Sequence, residues 1–252
     1  MLLGIDHLVI AVRDPYAAAA HLEREVGLAF TGGGRHEAMG TFNRLAFLGD
    51  TYLELIGVFD HELVRSSTTF AVGRASLALL DEGREGLATF ALATDDVAGD
   101  AGRLRASGSP IGEPVAGSRV RPDGGVVRWV TAFPPLGPSE PPFLIEHEYA
   151  GAEWGDEARA ARAAFHHPGG GRLRMTSLEL PVPDPVATAE AYWRVLGIAF
   201  SDGWHGSVGG QALSLWAGAP GDLPIVRLQA EPGTAPRDLV RLGSRWVRVP
   251  AA

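Results

Sequence analysis

An internal repeat narrows what this chain can fold into more than any other feature. "DHLVIAVRDPYAAAAHLEREVGLAF" (6–30) and "TSLELPVPDPVATAEAYWRVLGIAF" (176–200) both run from a strand pattern into Asp-Pro, an Ala-rich helix and Gly-x-Ala-Phe. Asp14 to Gly27 and Asp184 to Gly197 share a spacing of 13 residues. A weaker copy, "LATFALATDDVAGDAGRLRASGSPI" (87–111), spaces Asp96 and Gly108 by 12. Each aspartate is placed to cap a helix, Pro follows in two copies at the first helical position, and glycine ends the helix. Three strand-like stretches follow each helix. They are "LAFTGG", "FNRLAFLG" and "TYLELIGV" in the first copy, and "IGEPVAG", "VVRWVTAF" and "FLIEHEY" in the second. In the third they are "IAFSDGW", "QALSLWAG" and "PIVRLQAE".

Each unit therefore reads βαβββ. A four-stranded sheet with one helix-covered face leaves its other face needing a partner or a ligand. The expected fold is α+β: two modules paired over residues 1–150 into a cleft-forming open barrel, and a third module with a C-terminal tail over 172–252. A helical linker at 151–171, ending in "HHPGGG", joins them. Residues 60–84 fall outside the repeat and read as inserted helical connections. The third sheet has no obvious mate in its own chain, so a homodimer through it is expected.

Charge and composition exclude several classes. With a net charge of −8 and scattered basic residues, the chain offers no footprint for a nucleic-acid backbone. It has no cysteine, so disulfides, thiolate metal sites and cysteine nucleophiles are excluded. The apolar N-terminus lacks a basic n-region and a small-residue cleavage site, and no apolar run approaches the ~20 residues of a membrane span. A soluble cytoplasmic protein is expected. Neither a Gly-x-Ser-x-Gly elbow nor HExxH is present.

One strand carries a cost. "TYLELI" (51–56) is strand-like and apolar, yet Glu54 sits inside it. Taking a carboxylate out of water costs roughly several kcal/mol.

With the βαβββ repeat, the opening "DHLVIAVRDP" and the closing "YLELI", the chain resembles the vicinal oxygen chelate superfamily, the fold of glyoxalase I, extradiol dioxygenases and bleomycin-resistance proteins. More narrowly, "GGRHEAMGTFNRLAFLGDTYLELIG" together with "SRVRPDGGVVRWVTAFPP" and "PPFLIEHE" resembles the glyoxalase-like domain family. The resemblance covers residues 4–149 well and the third module at fold level. It implies one metal ligand on the first strand and one on the last strand of each paired module. The first-strand position is His7 and the last-strand position Glu54. Aligning "FLIEHEY" with "TYLELIG" places Glu146 opposite Glu54, and the fourth position falls on Thr89, a poor ligand. The implied cofactor is a divalent ion (Zn, Fe, Mn or Ni) on His7, Glu54 and Glu146, with open positions for a chelating substrate and no nucleotide cofactor. Strand alternation independently puts Tyr52, Glu54 and Ile56 on one face. The residues equally allow Glu54 and Glu146 to face a water-filled cleft or to pair with Arg44 and Arg128.

"GGGRHEAMGTFNR" places His36 and Asn43 at the cavity mouth, His36 as a proton-transferring base or as a solvent-facing hairpin residue. Arg128 and Trp129 point to opposite faces of one strand. Arg128 is preferred as an oxyanion contact, and Trp129 serves as an apolar wall beside Tyr52. His147 is expected to face away from the site. Trp193, Trp204, Trp216 and Trp246 read as core or dimer contacts. The resemblance then implies a metal-dependent isomerase or lyase, rather than a dioxygenase, acting on a small vicinal-oxygen or 2-oxo metabolite. His36 and Glu146 would be catalytic, with Asn43, Tyr52, Arg128 and Trp129 on the substrate. Two alternatives remain open: a non-catalytic binder of the bleomycin-resistance type, and an interaction protein with a filled cleft.

Overall fold

A computed structural model describes residues 1–230 apart from 68–69, 122, 136–140, 152 and 220–221, together with the strands at 237–240 and 247–250. Trp246 lies outside the described residues. The first half runs β1 (Gly4–Ala11), α1 (Pro15–Val26), β2 (Gly32–His36), β3 (Thr41–Leu48) and β4 (Thr51–Val58). Two inserted helices, α2 (His61–Ser66) and α3 (Ala71–Asp81), lead into the second half. It comprises β5 (Gly86–Ala93), α4 (Val97–Ala106), β6 (Val115–Val120), β7 (Val126–Ala132) and β8 (Phe143–His147).

The local chemistry sets these boundaries. Asp14 accepts hydrogen bonds from the Tyr16 and Ala17 N–H groups, Pro15 opens α1, and Gly27 ends it in the left-handed region at φ 69°. The chain then stays irregular through Leu28–Phe30, whose side chains enter the core, and β2 begins only at Gly32.

The eight strands close a barrel in the order β1-β4-β3-β2-β6-β7-β8-β5. The open barrel expected from the sequence is thus joined on both sides. A long antiparallel seam links β1 to β5, and a single residue pair, Arg35 with Val120, links β2 to β6.

The third unit contains β9 (Leu173–Val182), α6 (Pro185–Leu196), β10 (His205–Val208), β11 (Gln211–Ala217) and β12 (Ile225–Ala230), in the sheet order β10-β11-β9-β12. "IAFSDGW" is not a strand, because Gly203 and Trp204 turn the chain at positive φ, 81° and 62°. β12 lies antiparallel beside β9, the place β5 takes beside β1. A short ribbon, β13 (Arg237–Val240) with β14 (Val247–Pro250), follows.

The helix-covered face of this sheet joins the barrel. Leu178, Leu213 and Leu215 of the sheet and Tyr192 and Val195 of α6 share one continuous core with Ile5, Leu8, Leu22 and Phe90 of the barrel side. Polar links reinforce the joint: Gln211 accepts from the Ile5 N–H at 2.6 Å, and Ser109 donates to the Val195 carbonyl at 2.7 Å. Trp193 stands exposed on α6.

A further helix, α5 (Asp156–Ala163), precedes "HHPGGG". That stretch is welded to the barrel rather than slack. His167 is buried, accepts from the Ala29 N–H and donates to the Phe47 carbonyl. Among the described residues, no helix is long and apolar enough to cross a membrane.

Candidate functional site

Alternation along the barrel strands turns one set of side chains outward into the core and the other inward. The inward set encloses a cavity of ≈ 210 Å³. His7, Asn43, Tyr52, Glu54 and Trp129 all line it, and so does His36 at the end of β2. Phe70 of the α2–α3 connection and Met39 of a short 3₁₀ turn close its mouth. The cleft is neither collapsed nor filled.

Glu54 is met by an amide, not by a guanidinium. Its Oε1 accepts from Asn43 Nδ2 at 2.6 Å, and the Asn43 carbonyl in turn accepts from the Gly34 N–H at 2.9 Å. Its Oε2 lies 3.5 Å from His7 Nε2. Arg44 instead donates to the Phe30 carbonyl.

His7 is held from behind. Its Nδ1 is 2.6 Å from Asp6 Oδ1, and the same carboxylate takes His147 Nε2 at 3.1 Å on both oxygens. Asp6 reaches this position through a bulge, since the β1–β5 register shifts between Ile5 and His7 and skips the intervening residue. Burial alone would raise the Asp6 carboxyl. The charges and hydrogen bonds of His147 and His7 outweigh it and hold the group well below the usual carboxylate range. Asp6 is therefore an anion at every physiological pH.

His36 is buried, bonded through Nδ1 to Thr41 Oγ1 at 2.8 Å and edge-on to Trp129. Burial pushes its pKa down to about 4; the nearby Glu54 charge opposes this and Arg119 adds to it. It is a neutral imidazole at pH 7, not a solvent-facing hairpin residue. Tyr52 stacks on His7 at 4.5 Å, and burial, then the Asp6, Glu54 and Glu153 charges, raise its phenol well above 10.

Two expected site residues lie elsewhere. Arg128 is exposed on β7 and pairs with Glu148 at 3.4 Å, so Trp129 is the cavity residue of that pair. Glu146 points away from the cavity, accepting from the Val97 N–H at 2.9 Å and so capping α4. The register gives the reason. Val9 pairs with Glu54 across β1–β4, while Ala91 pairs with Phe143 across β5–β8. His7 stands two residues before Val9 and Thr89 two before Ala91, so Phe143, not Glu146, corresponds to Glu54. The offset is three residues, and any odd slip exchanges the two faces of a strand. Phe143, Ile145 and His147 consequently line the cavity.

Sequence reading also missed the buried ion pair of Arg119 and Glu153, bidentate at 2.6 Å, and Trp154, which stacks on His147 at 3.8 Å. Arg119 alternates inward with Gly117 on β6, a signal that was available; Glu153 and Trp154 come from a loop with no periodicity to read.

The donors do not make up the expected ion site. His7 Nε2 and Glu54 Oε2 face each other with Asp6 behind the imidazole, as in a ligand pair with its outer partner. The third expected ligand, Glu146, is outside, and the remaining two positions are Thr89 and Phe143. His147 has its Nε2 on Asp6. Among the described residues no group of three or more His, Cys, Asp or Glu side chains is arranged to hold a metal ion. This donor set does not fit a resident divalent ion.

The model of a family described as glyoxalase-like domain matches residues 5–196. No curated protein matches the chain. A hypothetical protein from Staphylococcus aureus superposes with a TM-score of 0.73 at 15% identity, over 98% of this chain and 99% of that one. A methylmalonyl-CoA epimerase from Mycobacterium tuberculosis gives 0.40 at 17% identity, over 58% and 87%. A Streptomyces coelicolor methylmalonyl-CoA epimerase variant in complex with 2-nitronate-propionyl-CoA gives 0.41 at 22%, over 57% and 97%.

Proposed function

The chain belongs to the glyoxalase-like domain family of the vicinal oxygen chelate superfamily, and from that premise we propose that it is an isomerase- or lyase-type enzyme moving a proton beside a carbonyl of a small oxygenated metabolite. The observation that carries this reading is the buried row Asp6–His7–Glu54 on the cavity wall. Glu54, fixed by Asn43, takes a proton from the carbon next to the carbonyl, and the C–H electron pair moves onto the carbonyl oxygen as an enolate. The new Oε2–H then faces the His7 Nε2 lone pair, and Asp6 stabilises the imidazolium when the proton moves on. With the Thr41 hydroxyl donating to Nδ1, neutral His36 carries its proton on Nε2 and donates it to the enolate oxygen. The substrate's original hydroxyl then gives its proton to His36 as the carbon-derived proton is delivered to the former carbonyl carbon, which completes a hydroxyketone isomerisation and restores every group with no redox partner needed.

A second reading, a binder without turnover, draws on the aromatic walls Trp129, Phe133, Phe143 and Trp154. Solvent-deuterium exchange followed by proton NMR separates the two. Wild-type protein is expected to exchange the α-proton of a bound hydroxyketone, and Glu54→Gln to lose at least about 10²-fold of that rate while still binding it. A ligand that binds wild type without exchanging would overturn the enzyme reading in favour of the binder.

A further inference from the structure

We propose that the cavity selects a neutral ligand, an aryl or otherwise apolar ketone bearing a hydroxyl, and turns away carboxylates and phosphates. This rests on the same site as the proposed proton transfer and names its substrate class.

The charges facing the cavity set the argument. All 22 basic residues of the chain are arginines, and among the described residues Arg119 is the one that lines the cavity. Its charge is already matched: both Glu153 oxygens lie 2.6 Å from Nη2, and Nη1 donates to the Gly33 carbonyl at 3.3 Å. A guanidinium already neutralised by a buried carboxylate has no spare charge for an incoming one. Glu54 adds a second carboxylate on the wall, and Asp6 a third directly behind it. Burial keeps His36 uncharged. Against three carboxylates there stand one guanidinium and at most two protonated imidazoles, His7 and His147, so the formal charge of the wall never rises above zero. An anionic substrate entering this enclosure would lose its hydration without gaining a counter-charge.

The uncharged features favour the complementary ligand. Among the described residues Glu54 Oε2 has only His7 Nε2, at 3.5 Å, before it. A carboxylate oxygen accepts, so this polar wall calls for a hydroxyl donor. Beside it the wall is apolar: Phe133 and Phe143 pack at 4.8 Å with Phe70 and Val72 next to them. An aromatic or branched alkyl group fits there.

A matched pair of ligands tests this. Binding of the neutral 1-hydroxy-1-phenylpropan-2-one and of the anionic phenylpyruvate is titrated by quenching of the cavity tryptophans, Trp129 and Trp154, at fixed ionic strength. The neutral ketone is expected to bind wild type more tightly than phenylpyruvate by more than about tenfold. Glu153→Gln, which frees Arg119, should reverse that ratio. Phenylpyruvate binding wild type as tightly as the ketone, or no saturable quenching by the ketone, would overturn the proposal; the wild-type comparison decides even where Glu153→Gln does not fold. Because the readout is binding, a failure here is separate from a failure of proton transfer: a ketone that binds selectively without deuterium exchange sinks the enzyme reading and leaves this one standing.

Discussion

At the scale of single residues, burial and partner chemistry set what each polar group can do. His36 illustrates the linkage. Its folded pKa of about 4 lies below the ordinary 6.5, so between those values the unfolded chain binds a proton that the folded chain refuses. Stability therefore rises with pH across that window and falls as pH drops through it. Wild type is expected to lose about 2 kcal/mol of unfolding free energy through this group between pH 7 and pH 5. Urea unfolding at the two pH values checks this: His36→Gln should show a correspondingly smaller loss, and an unchanged loss would mean that His36 is not buried neutral. His7, Tyr52 and Glu54 were legible as inward residues because a polar group inside an apolar strand pattern has a definite parity. Asp6 was not. Parity alone sends it to the outer face with Leu8 and Ile10, and only a bulge, invisible in one sequence, brings it behind His7.

At the scale of elements, β8 shows where pattern reading fails. Phe143, Leu144 and Ile145 are all apolar and all buried, facing the cavity and the helix layer in turn. A strand buried on both sides carries no alternation, so nothing in "FLIEH" tells Glu146 from His147. Aligning "FLIEHEY" with "TYLELIG" is off by three residues, an odd number, and so exchanges the two faces. The structure gives Glu146 a different task, as the acceptor for the first helical N–H of α4. Glu146→Ala should therefore cost about 1 kcal/mol, the usual scale of a lost helix cap. Hydroxyketone binding, measured by tryptophan quenching, should stay at the wild-type level. A large loss of binding with unchanged stability would return Glu146 to the site.

At the scale of the whole molecule, the repeat made the barrel and its helices legible, because capped helices and apolar strands recur at fixed spacing. It said less about the third unit, whose place depends on which apolar faces meet. Its sheet and helix share a single core with the barrel, and Gln211 sits at the joint. The Gln211 side chain accepts from the Ile5 N–H and donates to Thr51 Oγ1 at 3.1 Å, next to the β1 seam that carries His7. Removing it leaves the Ile5 N–H without its acceptor, a loss on the scale of about 1–3 kcal/mol for a buried donor. Elements that share a core unfold together, so Gln211→Ala should lower one cooperative transition rather than split it in two. Calorimetry together with far-UV circular dichroism checks this. Two separated transitions, with ligand protecting only the first, would mean that the third unit is an independent body resting on the barrel rather than a part of its core.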